Sequence, residues 1–414
     1  MDRTILHCDC NCFYASVECL YNPDIRNKPV AVGGDEQLRH GIILTKNYIA
    51  SKYSIQTGEP IWSAKQKCPD LIVVPPHFDR YIKFSNLTRQ IYCDYTDRVE
   101  PFGLDEAWLD VSGCNGMKVA KEISDRIKYE LGITVSIGVS YNKVFAKFGS
   151  DYKKPDAITE ITRENYKDIV WSAPVRDLLY VGKANEQKFH DMGVYTIGQI
   201  AQQLPRIMKN HFGKVGEMLL CFAKGEDSSP VMLFSQSNQI KSIGNSTTTP
   251  KDMETIEDAK RLLLVLSDSV CSRLRKSGLK CKCVSVTMKE SAFLTSSTRQ
   301  ATLRDYTDIT RTIYKTAVDI LKNSKRRFVP LRAIGISLSE FESVDSAEQL
   351  NFYEDHTKNE KLKKIDSLTD SLHQRFGNKS IAPASILVDE YLTSFDPQKD
   401  NTIHPEGFLK GKIE

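Results

Sequence analysis

The chain opens on a short apolar run, Thr4-Ile5-Leu6-His7-Cys8-Asp9, which predicts a strand ending in a carboxylate. Apolar residues at helical spacing then predict a helix from Phe13 to Leu20, stopped by Asn22-Pro23-Asp24. Strands are expected at 28–34 and 41–45, short helices at 47–53 and 61–67, and one long amphipathic helix from Tyr81 to Val99. Two apolar runs, 99–104 (broken by Pro101 and Gly103) and 107–111, flank Asp105-Glu106, which reads as a β-hairpin with two acids at its turn. A helix over 117–131, an alternating strand over 133–139 and a helix over 142–152 complete an α+β layout, a sheet with helices on one face.

From Thr162 to about Lys224 the pattern is helical. Within it, Tyr180-Val181-Gly182-Lys183 opens a helix ending at Met192-Gly193-Val194, and a second short helix starts at Ile197. That pair has the form of a helix-hairpin-helix, whose amides can hold a DNA phosphate, although Tyr180 stands where a second glycine is usual. Plain helix packing explains the pair nearly as well. Residues 228–240 read as a polar linker. Beyond them come a helix (256–276), a strand (281–289), a strand (300–303), a helix (307–321) and a strand (331–338), then a polar tail with an amphipathic helix at 360–376.

Asp105 and Glu106 alone would be ordinary solvated turn residues. If the strand ending at Asp9 neighbours the hairpin, three acids converge at one sheet edge, and such a cluster repels itself unless a divalent cation lies in it. Oxygen-rich sites of this kind prefer Mg²⁺, and paired ions suit in-line attack on phosphate.

With 414 residues the chain needs several domains, and its 40% hydrophobic and 27% charged content is that of a soluble protein. No stretch is apolar enough to span a bilayer and no secretory signal is apparent, so no membrane association and a cytoplasmic location are expected. Eleven cysteines show no framework spacing. The alternating Cys8, Cys10 and Cys12 lack further metal ligands at the usual spacing, so buried reduced thiols are expected. The net charge of +4 is unevenly spread: residues 241–340 hold 19 Lys and Arg against 10 Asp and Glu, an excess of nine that leaves the remainder at −5. A basic module beside an acidic one fits a polyanion-gripping domain attached to a metal-binding domain.

Five segments in order resemble the Y-family translesion DNA polymerases, and most of all their bacterial DNA polymerase IV branch. They are Asp9-Cys10-Asn11-Cys12-Phe13-Tyr14, Thr45-Lys46-Asn47-Tyr48-Ile49-Ala50, Gly103-Leu104-Asp105-Glu106-Ala107 (against Ser-Ile-Asp-Glu-Ala), Val139 to Lys147 followed by Lys154-Pro155, and Lys241-Ser242-Ile243-Gly244. The resemblance implies a multidomain α+β protein: a palm (1–12 and 78–165), small α/β fingers (13–77), a helical thumb (166–230), a linker (231–241), an α+β little finger (242–341) and a tail (342–414). It implies a template-directed, low-fidelity DNA polymerase working on primer-template DNA and dNTPs, expected to be a monomer. Asp9, Asp105 and Glu106, with the Cys10 carbonyl, would hold two Mg²⁺, one helping to deprotonate the primer 3′-hydroxyl and the other binding the triphosphate. Tyr14 would be the steric gate that excludes a 2′-hydroxyl. Tyr48 and Lys154 would contact the triphosphate, with Phe13, Thr45 and Lys52 also on the nucleotide side.

The chain departs from that pattern where Ser51 replaces a usual Arg or Lys, and where Lys154-Pro155-Asp156-Ala157 replaces Lys-Pro-Asn-Gly; both put nucleotide affinity in question. Leu44 is expected to tighten the roof over the nascent base pair. Lys280, Lys282, Lys289, Arg299 and Arg304 are the candidate DNA-backbone contacts. In the tail, Gln349-Leu350-Asn351-Phe352-Tyr353 resembles the peptide that docks in the bacterial sliding clamp, with Gln349, Leu350, Phe352 and Tyr353 as its contacts. The competing readings are a palm-type nucleotidyl cyclase, which needs neither basic module nor clamp peptide, and a non-catalytic DNA-binding accessory, which would not need the three acids.

Overall fold

The computed structural model describes residues 3–35, 39, 41–236, 240–324, 327–346 and 356–397. They fall into two compact units, one of residues 3–34 and 42–236, the other of residues 35, 39, 41 and 240–397.

The first unit begins with strand β1 (Ile5–Cys10) and helix α1 (Phe13–Tyr21). A three-stranded sheet follows, formed by β2 (Val30–Gly33), β3 (Ile43–Lys46) and, after helices α2 (Tyr48–Ser51) and α3 (Ile61–Lys67), β4 (Ile72–Val74). β2 is central, antiparallel to β3 and parallel to β4. The three-residue β4 carries too little pattern to read from sequence. Asn47 starts α2 by accepting a hydrogen bond from the Ala50 amide.

Helix α4 (Phe78–Cys93) is shorter than expected. It stops six residues before Val99, because Val99 opens strand β5 (Val99–Pro101), paired with β6 (Glu106–Asp110). Thr96 fixes the turn between helix and strand by donating to the Asp110 carbonyl and accepting from the Arg98 amide. Helix α5 (Gly116–Arg126) runs into a π-helical turn to Leu131; β7 (Val135–Ser140), α6 (Lys143–Tyr152) and β8 (Ile158–Ile161) follow. The five strands order as β5-β6-β1-β7-β8, with β1 at the centre.

Every β1 residue is buried, so both faces of the sheet are covered. Leu6, Cys8 and Cys10 join Ala107, Leu109, Val135, Ile137 and Val139 on the face packed by α1, α4 and α5. The expected helical layer is therefore present, but α6 also covers the opposite face. Gly138 permits it: a Cβ there would lie 1.9 Å from the Ala146 carbonyl oxygen and 2.6 Å from the Ser150 nitrogen.

Helices α7 (Tyr166–Ile169), α8 (Lys183–Asp191), α9 (Ile197–Ala201), α10 (Pro205–Phe212) and α11 (Lys214–Lys224) form a cluster with its own apolar core around Phe189, Ile197, Met208 and Leu219. Tyr180 sits at φ 68°, so the left-handed backbone that favours glycine is kept here with a tyrosine. α9 is opened by a capping box between Thr196 and Gln199.

In the second unit β9 (Ser242–Met253) precedes α12 (Ile256–Lys276), β10 (Leu279–Glu290), β11 (Ser296–Thr307), α13 (Thr310–Asn323) and β12 (Leu331–Ser343). The sheet order is β11-β10-β12-β9. β9 was not legible because its Ser, Thr and Asn residues do not alternate with apolar ones; tertiary pairing with β12 supplies its order. Cys281, Val284, Val286 and Met288 turn into the core against α12 and α13. Helix α14 (His356–Phe376) matches the tail helix. The rest of the tail is not simply polar: Ile386, Leu392 and Phe395, the last two in or next to helix α15 (Glu390–Ser394), are buried in the same core.

Candidate active site

β1 and β6 run antiparallel with Asp9 directly opposite Glu106, a relationship that puts Cβ atoms about 4.5–5.5 Å apart on one face. His7 and Asp9 share that face by strand alternation. Asp105 is the last residue of the turn before β6, and its carbonyl accepts from the Cys10 amide at 3.0 Å. Two buried side chains of α4 brace the turn: Arg89 Nη2 donates to the Gly103 carbonyl at 2.7 Å and Ser85 Oγ to the Leu104 carbonyl. A Cβ added to Gly103 would sit 3.2 Å from Asp105 Oδ1 and 3.7 Å from Glu106 Oε1, so these two carboxylates flank a common point. Positions 9, 105 and 106 thus stand at one end of the β1/β6 pair.

Their electrostatics are those of a site short of positive charge. Burial, only partly relieved by Lys154, pushes the Asp9 carboxyl up to about 6. Burial, then the charges of Asp9 and Glu106, push Asp105 up to about 7. Glu106 goes the other way: burial opposes its ionisation, but the neighbouring His7 ring and the Lys147 ammonium outweigh it and hold the carboxyl at about 2.

Each acid that is relieved has a named partner. Lys154 Nζ lies 2.8 Å from Asp9 Oδ2 and 2.7 Å from Asp151 Oδ1. Lys147 pairs with Glu106, and His7 Nε2 lies 3.3 Å from Glu106 Oε2. His7 is fully buried, which lowers its pKa to about 4, and its Nδ1 is 2.8 Å from Ser150 Oγ. The sequence reading missed His7 and Lys147 as members of the site. His7 was detectable, since it lies two residues before Asp9 in a strand.

Among the described residues no three His, Cys, Asp or Glu side chains are already drawn into a coordination cage. The donor set nevertheless fits a hard divalent cation: three carboxylates, two of them raised above the ordinary carboxylate range, mainly by burial.

Comparison with known proteins decides the family. The impB/mucB/samB family model matches residues 8–151, and that family's C-terminal domain matches 240–352. DNA polymerase IV of Acetivibrio thermocellus is 48% identical over 397 residues, covering 95% of this chain and 99% of that protein. The chain belongs to the DNA polymerase IV family. DNA polymerase IV 1 of Bacillus subtilis is 34% identical over 94% of both chains. A solved Y-family DNA polymerase chimera of Dbh and Dpo4 shares the fold, with a TM-score of 0.72 at 24% identity over 81% of this chain and 98% of its own.

In this family member the remaining expected residues sit as follows. Phe13 is a buried core residue, and Thr45 is half-buried in β3 opposite Val32. Tyr48 is half-buried beside Cys12, while Lys52 is exposed at the end of α2. Leu44 packs against the core of the main sheet. Tyr14 is half-buried close enough to Asp105 that burial and that charge push its hydroxyl up to about 12. Asp156 is paired with Lys128, and its amide donates to Asn11 Oδ1 at 2.7 Å. Asn11, also missed, is a buried hub bonded to Thr134 and Ser136 as well.

In the second unit Lys280 is buried, with 7% exposure, which corrects its expected place on an open groove. Lys282 extends over the Tyr306 ring, Lys289 is half-exposed, and Arg299 and Arg304 are exposed. Cys281 and Val284 both face the core, so strict alternation fails over the stretch carrying Lys280 and Lys282. The clamp-like residues Gln349, Leu350, Phe352 and Tyr353 lie outside the described residues. All eleven cysteines are free thiols, and no described helix is long and apolar enough to cross a membrane.

Proposed function

We propose that Asp9, Asp105 and Glu106, with the Cys10 carbonyl, form the two-Mg²⁺ centre of this translesion DNA polymerase. The family relationship makes the protein a DNA-directed DNA polymerase that uses a divalent metal. The observation that carries the finer reading is the register Asp9 opposite Glu106, with Asp105 at the adjoining turn. When bound, the ions would supply the positive charge this cluster lacks and the charge stabilisation that phosphoryl transfer requires.

The protein's own groups divide the remaining work. Lys154, held at the cluster's edge, is placed to exchange Asp9 for a triphosphate oxygen. Tyr48 offers a hydroxyl nearby, with Thr45 and Lys52 forming the surroundings of the nucleotide, while the buried Phe13 ring packs behind Tyr14. The Tyr14 ring selects deoxyribose by occupying the volume a 2′-hydroxyl would need. His7 and Lys147 fix the Glu106 carboxylate, and Arg89 and Ser85 fix the turn that carries Asp105. Lys289, Arg299, Arg304 and Lys282 offer sequence-independent contacts to the DNA backbone, and the segment around Gln349 is a clamp-binding peptide.

Primer extension on a primed template with dNTPs and Mg²⁺ tests the assignment. The intact protein should extend the primer, and the Asp105→Ala plus Glu106→Ala variant should not. Extension by both, or by neither, would remove the basis for this centre.

A further inference from the structure

The Tyr14 ring lies flat on Tyr81, with centroids 4.2 Å apart and planes 15° apart. Phe13 and Phe78 surround it with centroids at 5.8 and 6.0 Å. Tyr81 is fully buried, and its hydroxyl donates to Oε1 of Glu18 at 2.7 Å. Glu18 is itself 4% exposed and has two further partners, His77 Nδ1 at 3.0 Å from Oε1 and Arg80 Nη1 at 2.8 Å from Oε2. Glu18 follows Tyr14 by one helical turn on α1, so both face α4, which carries Arg80 and Tyr81.

No step of the proposed chemistry uses this buried carboxylate. As a source of stability it is a poor choice, because desolvation offsets most of the ion-pair attraction. A carboxylate with three donors does something else well: it fixes the positions of the groups that bond it. The group fixed most directly toward the site is the Tyr81 hydroxyl, and with it the ring on which Tyr14 rests.

We propose that Glu18 is a positioning residue for sugar selection: through the Tyr81 hydroxyl it locks the ring that backs Tyr14, so that Tyr14 cannot give way to a 2′-hydroxyl. This rests on the reading of Tyr14 as the steric gate. Exclusion of one oxygen atom requires a wall that does not move, and a close-packed ring anchored at its far end provides it. His77 and Arg80, whose side chains are 38% and 29% exposed, anchor Glu18 from the protein surface.

The test is the ratio of kcat/KM for a dNTP to that for the matching rNTP, measured within each of five proteins: intact, Tyr81→Phe, Glu18→Gln, Tyr14→Ala and Tyr14→Ala with Tyr81→Phe. A general loss of folded protein cancels in that ratio. Tyr14→Ala should collapse the ratio. Tyr81→Phe, which keeps the ring and removes the tether, should lower it about fivefold to tenfold, the scale of an ordinary intramolecular hydrogen bond. Glu18→Gln should lower it in the same direction, and the double variant should match Tyr14→Ala alone, because the tether has nothing left to hold. If Tyr14→Ala collapses the ratio while Tyr81→Phe and Glu18→Gln leave it within twofold, Glu18 has no positioning role and the steric gate stands. If Tyr14→Ala itself leaves the ratio unchanged, the gate reading fails and the inference falls with it.

Discussion

The ammonium of Lys154 sits 2.8 Å from Oδ2 of Asp9, so one acid of the proposed metal centre is already held by a cation of the protein. Lys154 and a metal ion therefore compete for Asp9, whereas a nucleotide offers Lys154 a replacement anion. Lys154→Ala should raise KM for dNTP about tenfold or more, as expected for loss of a charge-assisted contact. In the absence of nucleotide the same variant should be stabilised by lower Mg²⁺ concentrations than the intact protein, read from thermal unfolding midpoints along a Mg²⁺ titration. A higher Mg²⁺ requirement in the variant would contradict the competition.

The raised carboxyls make metal binding depend on pH. Asp9 and Asp105 titrate at about 6 and about 7 in the folded protein, above their ordinary value. The folded state then holds protons that the unfolded chain has released, so these two groups lower metal-free stability as pH rises from about 4 to 7. Glu106, held at about 2, contributes in the opposite direction, but its contribution is already complete above about 4.5 and changes only below that. A divalent ion binds the deprotonated acids and cancels their repulsion. The stabilisation by 10-fold excess Mg²⁺, measured by calorimetry, should accordingly be larger at pH 8 than at pH 5.5, with protons released on binding between them. Equal stabilisation at both values would mean the acids do not bind the metal.

Gly138 lies opposite His7 in the sheet and directly beneath α6, the helix that carries Lys147 and Ser150. An added methyl group would meet backbone atoms, which cannot rotate away as a side chain can. Gly138→Ala should destabilise the protein by about 3 kcal/mol or more in denaturant unfolding and should lower catalytic turnover, because α6 must rise off the sheet. A variant as stable as the parent would show that α6 is not seated as described.

Asp156 raised a concern at the sequence level, a negative charge close to the triphosphate contacts. The structure turns that carboxylate to Lys128 instead. Asp156→Asn should therefore change KM for dNTP by less than about twofold, since exposed ion pairs contribute little. Lys128→Glu, which leaves Asp156 unpaired and adds a second negative charge, should raise KM while leaving kcat nearly unchanged. A fall in KM of tenfold for Asp156→Asn would restore the original concern.

The three acids, the hairpin at 99–110 and the alternating strand at 135–140 were all legible in the linear order, because strand alternation and turn chemistry act over a few residues. The amphipathic helices at 256–276 and 356–376 were legible for the same reason, since a 3.6-residue period is a local property. Strands β4, β8 and β9 were not, and neither was the docking of Ile386, Leu392 and Phe395 into the second unit: their order comes from pairing and burial against distant residues. The amino-acid sequence by itself determined which residues carry charge, which faces are apolar and where the acids stand along their strands. Only the tertiary structure decided that Lys154 would hold Asp9, that His7 and Lys147 would hold Glu106, and that Glu18 would reach Tyr81. Such partners are separated by tens to more than a hundred positions, and their distance in space is set by how sheet and helices pack, which no local pattern encodes.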